Sequence, residues 1–191
     1  MSLLGRDDLQ AILAGAAARL VEPVDIIVVG GGAMLVLAPE ARSTRDIDLL
    51  PTAGAEAFRR AVTGAHGIEV GTAAAAFEVL LPDGWESRLA LAVELSGPSL
   101  RAFTPAPEDL AVMKLFRFLA KDAEDIRKLA ALPGFDRDAF RERFLSTLPT
   151  AIGEPRWHAQ SFALIWNALY PDDPVEEGAI LASAGIGARA R

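Results

Sequence analysis

Residues 25–50 decide the fold, and they read DIIVVGGGAMLVLAPEARSTRDIDLL. The β-branched run Ile26 to Val29 predicts a strand that is buried on both faces. A glycine turn, a short helix stopped by a proline and a loop then lead to a second strand, Arg45 to Leu50. Because side chains alternate along a strand, Asp46 and Asp48 point to the same face. Two adjacent carboxylates repel each other unless a cation neutralises them, and a divalent metal ion commonly does so in sites that handle phosphates.

The composition limits the class of protein. At 191 residues, we expect one domain with a helical extension. Hydrophobic residues make up 51% and charged residues 24%, which excludes a disordered chain. The sequence has no cysteine, so disulfides and thiolate metal sites are excluded. The net charge of −7 argues against broad, non-specific nucleic-acid binding. Without a signal peptide or an apolar stretch of about 18 residues, we expect a cytoplasmic protein with no membrane partner.

The remaining pattern predicts an α+β fold, in which a mixed sheet flanked by helices precedes a C-terminal helical bundle. The first helix is predicted at Arg6 to Leu20. Four more strands, joined largely as a meander, are predicted at His66–Val70, Ala76–Leu81, Arg88–Leu95 and Leu100–Thr104. A helix is predicted from Pro107, and Lys121–Leu132 either continues it or restarts it after a kink. Two more helices are predicted at Phe135–Leu145 and Trp157–Tyr170, and we expect Trp157, Phe162, Trp166 and Leu169 of the latter in the core. We expect one compact unit, in which residues 1–105 form the α/β core, 106–170 a helical region packed on it, and 171–191 a tail of loop or frayed helix.

Two other interpretations of the central stretch are open. Three glycines after an apolar strand also open a dinucleotide-binding turn. With Gly30 and Gly32 as its first two glycines, however, the third position holds Leu35, and Pro39 leaves a helix too short for the usual crossover. The second interpretation is structural, with the first acid paired to an arginine of the loop and the second solvated, an arrangement that is common and weakly stabilising.

The neighbours of the acids favour a phosphate site. A Gly-Gly turn at a helix N-terminus presents backbone N–H groups and the positive end of the helix dipole, which suits a phosphate. The loop that follows holds hydroxyls and arginines at residues 42–45, immediately before the carboxylates. A phosphate cradle, a donor loop and metal ligands therefore fall within a short stretch of chain.

This arrangement resembles the nucleotidyltransferase superfamily, which shares its fold with DNA polymerase β and carries a glycine turn, a short helix and D-x-D on the next strand. The form GGGAM followed by RSTRDIDLL is similar to a bacterial branch that includes abortive-infection toxin-type nucleotidyltransferases. Arg42, Thr44, Asp46 and Asp48 match the R-x-T-x-D-I-D stretch of that branch.

A second stretch, PEDLAVMKLFRFLAKDAEDI, resembles the same branch, and the whole resemblance spans residues 26–129. The matching positions are Lys114, Lys121, Asp122 and Asp125. The alternative for this stretch is an exposed helix face with ion pairs, such as Lys121 with Asp125 and Glu124 with Lys128.

The resemblance implies a set of site residues. Asp46 and Asp48 would bind Mg²⁺ or Mn²⁺, and the turn at Gly31 and Gly32 would hold the β- and γ-phosphates. Arg42, Thr44, and Lys114 or Lys121 would contact the triphosphate. The superfamily's enzymes use a third carboxylate on a neighbouring strand, for which the sequence offers Glu94, with Glu78 as a fallback. The alternative for Glu94 is a residue at the rim of the sheet or in a salt bridge.

The function implied is a metal-dependent nucleotidyltransferase that moves a nucleoside monophosphate from a nucleoside triphosphate to an acceptor hydroxyl. The acceptor is left open among tRNA, a protein and a small molecule. The alternative is a catalytically silent module with the same fold, which binds a nucleotide or a partner protein, for instance in a toxin–antitoxin pair. The superfamily's enzymes use a third carboxylate, so the position of this group distinguishes the enzyme from the silent module.

Overall fold

A computed structural model describes residues 3–38, 43–63, 69–71, 80–95 and 100–187, except for the side chains of Glu69 and Glu94. The chain divides into two compact units. The first contains Met1–Glu78 and Trp85–Ala106, and the second contains Val79–Gly84 and Pro107–Arg191. Within the described residues, none of the helices combines the length and the apolar character that crossing a bilayer requires.

The first unit is built on a five-stranded mixed sheet. Its helices are α1 (Arg6–Ala17), α2 (Gly30–Leu37) and α3 (Ala53–Thr63), and a 3-10 turn forms at Trp85–Arg88. Its strands are β1 (Val24–Val29), β2 (Asp46–Leu49), β3 (Glu69–Gly71), β4 (Ala90–Glu94) and β5 (Leu100–Thr104). The strand order is β3-β2-β1-β5-β4, so β1 is central. The predicted α+β class with a mixed sheet is confirmed.

The pairing of the strands explains the mixed character of the sheet. β1 runs antiparallel to β2 and parallel to β5, while β2 runs parallel to β3 and β4 antiparallel to β5. β4 and β5 follow each other along the chain and pair antiparallel, as the predicted meander requires. Of the strand predicted at Ala76–Leu81, only residues 80 and 81 are described, and they lie in a turn. The strand predicted from Arg88 begins two residues later because the 3-10 turn occupies its start.

One face of the sheet carries the core of the first unit. The inward-facing residues of β1 and β2 pack against α1 and α3, and all of the following are buried: Leu9, Ile12, Leu13, Ile26, Val28, Ile47, Leu49 and Phe58. α1 begins where the Asp8 carboxylate accepts a hydrogen bond of 2.8 Å from the Gly5 N–H. α3 begins with the reverse arrangement, in which the Thr52 hydroxyl before the helix accepts a hydrogen bond of 3.0 Å from the Ala55 N–H. The polar residues Asp25, Asp46, Asp48 and Arg101 lie on the opposite face.

The second unit is helical in the described residues. Its helices are α4 (Pro107–Arg117), α5 (Asp122–Ala130), α6 (Arg137–Thr147), α7 (Pro155–Leu169) and α8 (Glu177–Ser183). Of the two possibilities left open for Lys121–Leu132, the structure shows a restart after a kink, since Phe118 takes a left-handed φ of 40° between α4 and α5. The core of this unit is aromatic, and stacked rings join Phe144 to Phe162 at 4.3 Å and Phe162 to Trp166 at 5.4 Å between centroids.

One prediction about this unit is wrong. Trp157, expected in the core, is 71% exposed, because it lies on the outer side of α7 opposite Phe162 and Trp166. The tail, expected as loop or frayed helix, contains the helix α8, which is held by side chains of α7. The Asn167 amide exchanges hydrogen bonds of 3.0 and 2.8 Å with the backbone of Val175, and Ile180 is buried.

Candidate functional site

The site begins at the junction of β1 and α2. Gly30 directly follows β1, takes a left-handed φ of 61° and opens α2, so the chain turns sharply at the strand end. β2 then returns antiparallel beside β1, with Val29 opposite Asp48. The N-terminus of an eight-residue helix and the two predicted acids therefore meet at the same end of the sheet.

The two acids lie on β2 as the alternation predicts. Asp46 and Asp48 are half-buried, whereas Ile47 and Leu49 between and after them are buried in the core. Residues two apart on a strand share a face and lie about 6.6 Å apart along it. The carboxylates are thus neighbours on the face of the sheet opposite the core.

Two glycines of the turn touch the predicted site residues. A β-carbon built on Gly30 would lie 2.5 Å from Oδ2 of Asp48. One built on Gly31 would collide with the Thr44 hydroxyl and would lie 2.8 Å from Cβ of Thr44. The backbone of this turn consequently approaches both side chains more closely than any other residue type allows.

Gly32 has a packing role in addition to the phosphate contact predicted for it. Its missing β-carbon would meet Val28 at 2.9 Å and Ile47 at 3.9 Å, so Gly32 lets α2 pack closely on the core face of the sheet. Gly30, which was not among the predicted phosphate contacts, lies against Asp48. The phosphate contact of the Gly31–Gly32 turn stays a prediction, since it would be made by backbone N–H groups of the first turn of α2.

Thr44 is fixed from two directions. Its backbone forms a two-bond bridge with Leu4, with N···O distances of 2.7 and 3.0 Å. Its hydroxyl donates a hydrogen bond of 3.0 Å to Oδ1 of Asp46, and the residue is only 9% exposed. The structure therefore brings Thr44, Gly31 and Asp46 together as the sequence suggested, while Arg42 lies outside the described residues.

Glu94 is displaced from the acids by the register of the sheet. Glu94 pairs with Arg101, and Arg101 pairs with Asp25, whereas Asp48 pairs with Val29. Four residues along a strand correspond to about 13 Å, and the three strand spacings between β4 and β2 add about 14 Å sideways. Ligands of Mg²⁺ lie about 2.1 Å from the ion. This register is incompatible with Glu94 sharing a metal ion with the two aspartates, so that prediction is corrected.

Two residues of β3 lie beside the acids and were not identified from the sequence. In the parallel β2–β3 pair, Asp46 is level with Glu69 and Asp48 is level with Gly71. A β-carbon on Gly71 would lie 3.0 Å from Oδ1 of Asp48. The sequence predicted a strand here but held no signal for its partner or register. The fallback acid, Glu78, lies outside the described residues.

The donor set fits magnesium better than a metal with a full protein cage. Among the described side chains, no three His, Cys, Asp or Glu residues form a cluster that could hold a metal ion. Mg²⁺ is usually bound by one or two carboxylates, with waters and substrate phosphates as the other ligands. Asp46 and Asp48 satisfy that requirement.

Lys114, in the second unit, belongs to a buried cluster of charges. It is 1% exposed, and its ammonium lies 2.7 Å from Oδ2 of Asp125 and 3.6 Å from Oδ1 of Asp122. Burial lowers the pKa of Lys114, and the two carboxylates oppose that shift without cancelling it. The contacts of this lysine are therefore those of an ion pair that joins α4 to α5.

Asp122 connects the same cluster to the kink between the helices. Arg117 donates two hydrogen bonds to it, of 2.7 and 3.2 Å, and the Leu119 N–H donates a third of 2.7 Å. Burial alone would raise the pKa of Asp122, but these hydrogen bonds and the charges of Arg117 and Lys114 hold its pKa below the usual value. Three donors at one carboxylate fix the irregular turn.

The predicted phosphate contacts of the second stretch stay predictions. Lys121 is exposed and immediately precedes α5. The surface ion pair expected between Glu124 and Lys128 is confirmed at 2.8 Å. The sequence pattern marked Lys114, Asp122 and Asp125 as a group, and the structure shows that they are in contact.

The comparison with protein families agrees with this geometry. A family described as a nucleotidyltransferase of unknown function (DUF6036) matches residues 7–170. The chain belongs to this family. The match contains the glycine turn, Thr44, both aspartates and the charge cluster of α4 and α5, and it confirms the resemblance to nucleotidyltransferases. No curated protein and no solved structure matches the chain.

Proposed function

We propose that this protein is a metal-dependent nucleotidyltransferase, which moves a nucleoside monophosphate from a nucleoside triphosphate to an acceptor hydroxyl. The proposal is based on one glycine turn that contacts both Thr44 and Asp48. Gly31 lies against Thr44, Gly30 lies against Asp48, and Thr44 is hydrogen-bonded to Asp46. The family supports the same class of reaction.

The N-terminus of α2 supplies the proposed triphosphate contact. The first N–H groups of a helix have no acceptor within the helix, and its dipole places partial positive charge there. Val29, at the N-cap position, has no side-chain acceptor for them. Oxygens of the β- and γ-phosphates would accept from these N–H groups, with Arg42 as a further contact.

Asp46 and Asp48 would hold Mg²⁺ or Mn²⁺ together with oxygens of the triphosphate. When bound, the ion would polarise the α-phosphate and stabilise the charge that develops on it. The hydrogen bond from Thr44 to Oδ1 of Asp46 fixes the plane of that carboxylate and directs its other oxygen to the site. Thr44 would therefore act by orienting a ligand.

The reaction consists of one displacement at phosphorus. The acceptor oxygen forms a bond to the α-phosphorus, and the bond from that phosphorus to the α–β bridging oxygen breaks, so that pyrophosphate leaves. The proton of the acceptor hydroxyl passes to a carboxylate at this end of the sheet. Besides Asp46 and Asp48, Glu69 is our candidate there, because its backbone is level with Asp46.

The test is transfer of label from α-labelled nucleoside triphosphates in the presence of Mg²⁺. Candidate acceptors are tRNA, the protein itself and a small polyhydroxylated molecule, and pyrophosphate release is followed in parallel. D46N and D48N should abolish both signals and leave the thermal midpoint nearly unchanged. D172N, at an exposed aspartate of the second unit, is the matched control and should keep full activity. Transfer that survives in both D46N and D48N would refute the proposal.

A silent binding module is the second candidate, and the displacement of Glu94 favours it, since the expected third carboxylate is not at the site. This form would bind a nucleotide or a partner protein, as in a toxin–antitoxin pair. It predicts metal-dependent nucleotide binding that requires Asp46 and Asp48, without pyrophosphate release under any acceptor. Pyrophosphate release by the unmodified protein separates the two, and E69Q then tests the role of Glu69, because it should lower transfer only if Glu69 completes the active site.

A further inference from the structure

We infer that Gly71 is a positioning residue, which fixes the carboxylate of Asp48 by leaving the space beside it open. This inference rests on the proposed function, because it concerns the orientation of a proposed metal ligand. It assigns a role to a residue of β3, outside every sequence motif discussed above.

The carboxylate of Asp48 lies between two glycines on different elements. A β-carbon on Gly71 would lie 3.0 Å from Oδ1, and one on Gly30 would lie 2.5 Å from Oδ2 and 3.4 Å from Cγ. Gly71 is level with Asp48 in the parallel β2–β3 pair, so the approach follows from the register. Each oxygen therefore has a glycine beside it.

Position 71 requires glycine because a β-carbon there would lie too close to Asp48, and not because of its backbone conformation. Gly30 has a left-handed φ, which disfavours other residues, but Gly71 is not among the residues with positive φ. Glycine loses more entropy on folding than alanine and has no side chain to pack. A larger residue at the end of β3 would therefore not destabilise the strand by its backbone preference, but it would displace the carboxylate of Asp48.

The expected effect of a side chain at position 71 is a small movement of Oδ1. A methyl group at 3.0 Å forces the oxygen to retreat by a few tenths of an ångström, and the backbone of Gly30 limits the retreat on the other side. Metal–ligand distances tolerate changes of only about 0.2 Å. Changes in the groups that orient a ligand commonly weaken metal affinity by about 10- to 100-fold.

The experiment compares Mn²⁺ affinity and thermal midpoint in G71A and the unmodified protein, by calorimetry and thermal unfolding. G71A should bind Mn²⁺ about 10- to 100-fold more weakly, with an equal or higher thermal midpoint. G178A is the first control: it lies in α8 with open space around it, so affinity should not change. G54A is the second: its β-carbon would collide with the Asp25 carbonyl, so the midpoint should fall while affinity at low temperature is kept.

Three results would overturn the inference, and they are distinguishable. If D48N weakens Mn²⁺ binding and G71A does not, the role of Gly71 fails and the proposed metal site stands. If G71A lowers the midpoint as G54A does, disruption of β3 explains any loss of affinity. If the unmodified protein binds no Mn²⁺, or D48N leaves the affinity unchanged, the metal site and the role of Gly71 fail together.

Discussion

Replacing Lys114 with methionine tests whether the buried charge cluster holds α4 to α5. Methionine keeps the length of the apolar part of the side chain and removes the ammonium, which lies 2.7 Å from Asp125 and 3.6 Å from Asp122. Asp122 keeps its hydrogen bonds from Arg117, whereas Asp125, 4% exposed, loses the ammonium that donates a hydrogen bond to it. Removing one partner of a buried pair costs about 3–5 kcal/mol. That is a large part of a typical unfolding free energy of about 5–15 kcal/mol.

The assay is urea unfolding followed by circular dichroism, with the free energy extrapolated to zero denaturant. K128M is the matched control, because Lys128 forms a partly exposed pair with Glu124, and should cost at most about 0.5 kcal/mol. The double variant K114M/D125L should recover most of the loss, since it removes both charges of the closest pair and fills their space with apolar atoms.

Two outcomes would refute this reasoning: a cost of K114M below about 1 kcal/mol, or a double variant no more stable than K114M alone.

The same double variant also tests the phosphate contact predicted for Lys114 from the sequence. If the folded double variant keeps nucleotidyl transfer, the ammonium is not required at the triphosphate. If it is stable and inactive, the predicted contact gains support.

Two further predictions concern the second unit. The pKa of Asp122 is held below its usual value, so the stability that this carboxylate supplies is present above about pH 4 and is lost as the pH falls through the lowered value. D122N should therefore flatten the acid side of the stability curve in urea unfolding between about pH 3 and pH 6, and an equally steep curve would contradict this. W166A should cost about 3–5 kcal/mol because Trp166 is fully buried. W157A should change stability by at most about 0.5 kcal/mol because Trp157 is 71% exposed, and equal losses in thermal unfolding would contradict the assignment.

The centre of the site could be predicted because its signals are local. β1, α2 and β2 lie within about 26 residues, and their order follows from a β-branched run, glycines, a proline and an alternating strand. The alternation alone places Asp46 and Asp48 on one face. The bridge from Thr44 to Asp46 spans two residues, so the motif already contained it.

The periphery of the site depends on strand register, which the sequence does not encode locally. Glu94 was a reasonable third ligand by residue type, but the pairing of β4 with β5 places it at the far end of the sheet. Glu69 and Gly71 became neighbours of the acids only through the parallel pairing of β3 with β2. Neither residue has a side-chain signal that distinguishes it from other strand residues.

The remaining differences between the sequence-based predictions and the structure come from packing between helices. Trp157 and Trp166 lie on the same helix and look alike in a hydrophobic pattern, but only Trp166 reaches the aromatic core, where its indole N–H donates to the Asp173 carbonyl at 2.7 Å. The order of the last helix depends on the amide of Asn167. A polar side chain that captures a distant backbone segment leaves no periodic signal.

The bridge between Leu4 and Thr44 has a practical consequence for handling the protein. Leu4 is buried, and its N–H and carbonyl both bind the backbone of the residue whose hydroxyl orients Asp46. Tension or trimming at the start of the chain would therefore be transmitted directly to the carboxylate of Asp46, the proposed metal ligand. Affinity tags and surface tethers belong at the other end of the polypeptide, and an inactive preparation with an N-terminal fusion would not test the proposed function.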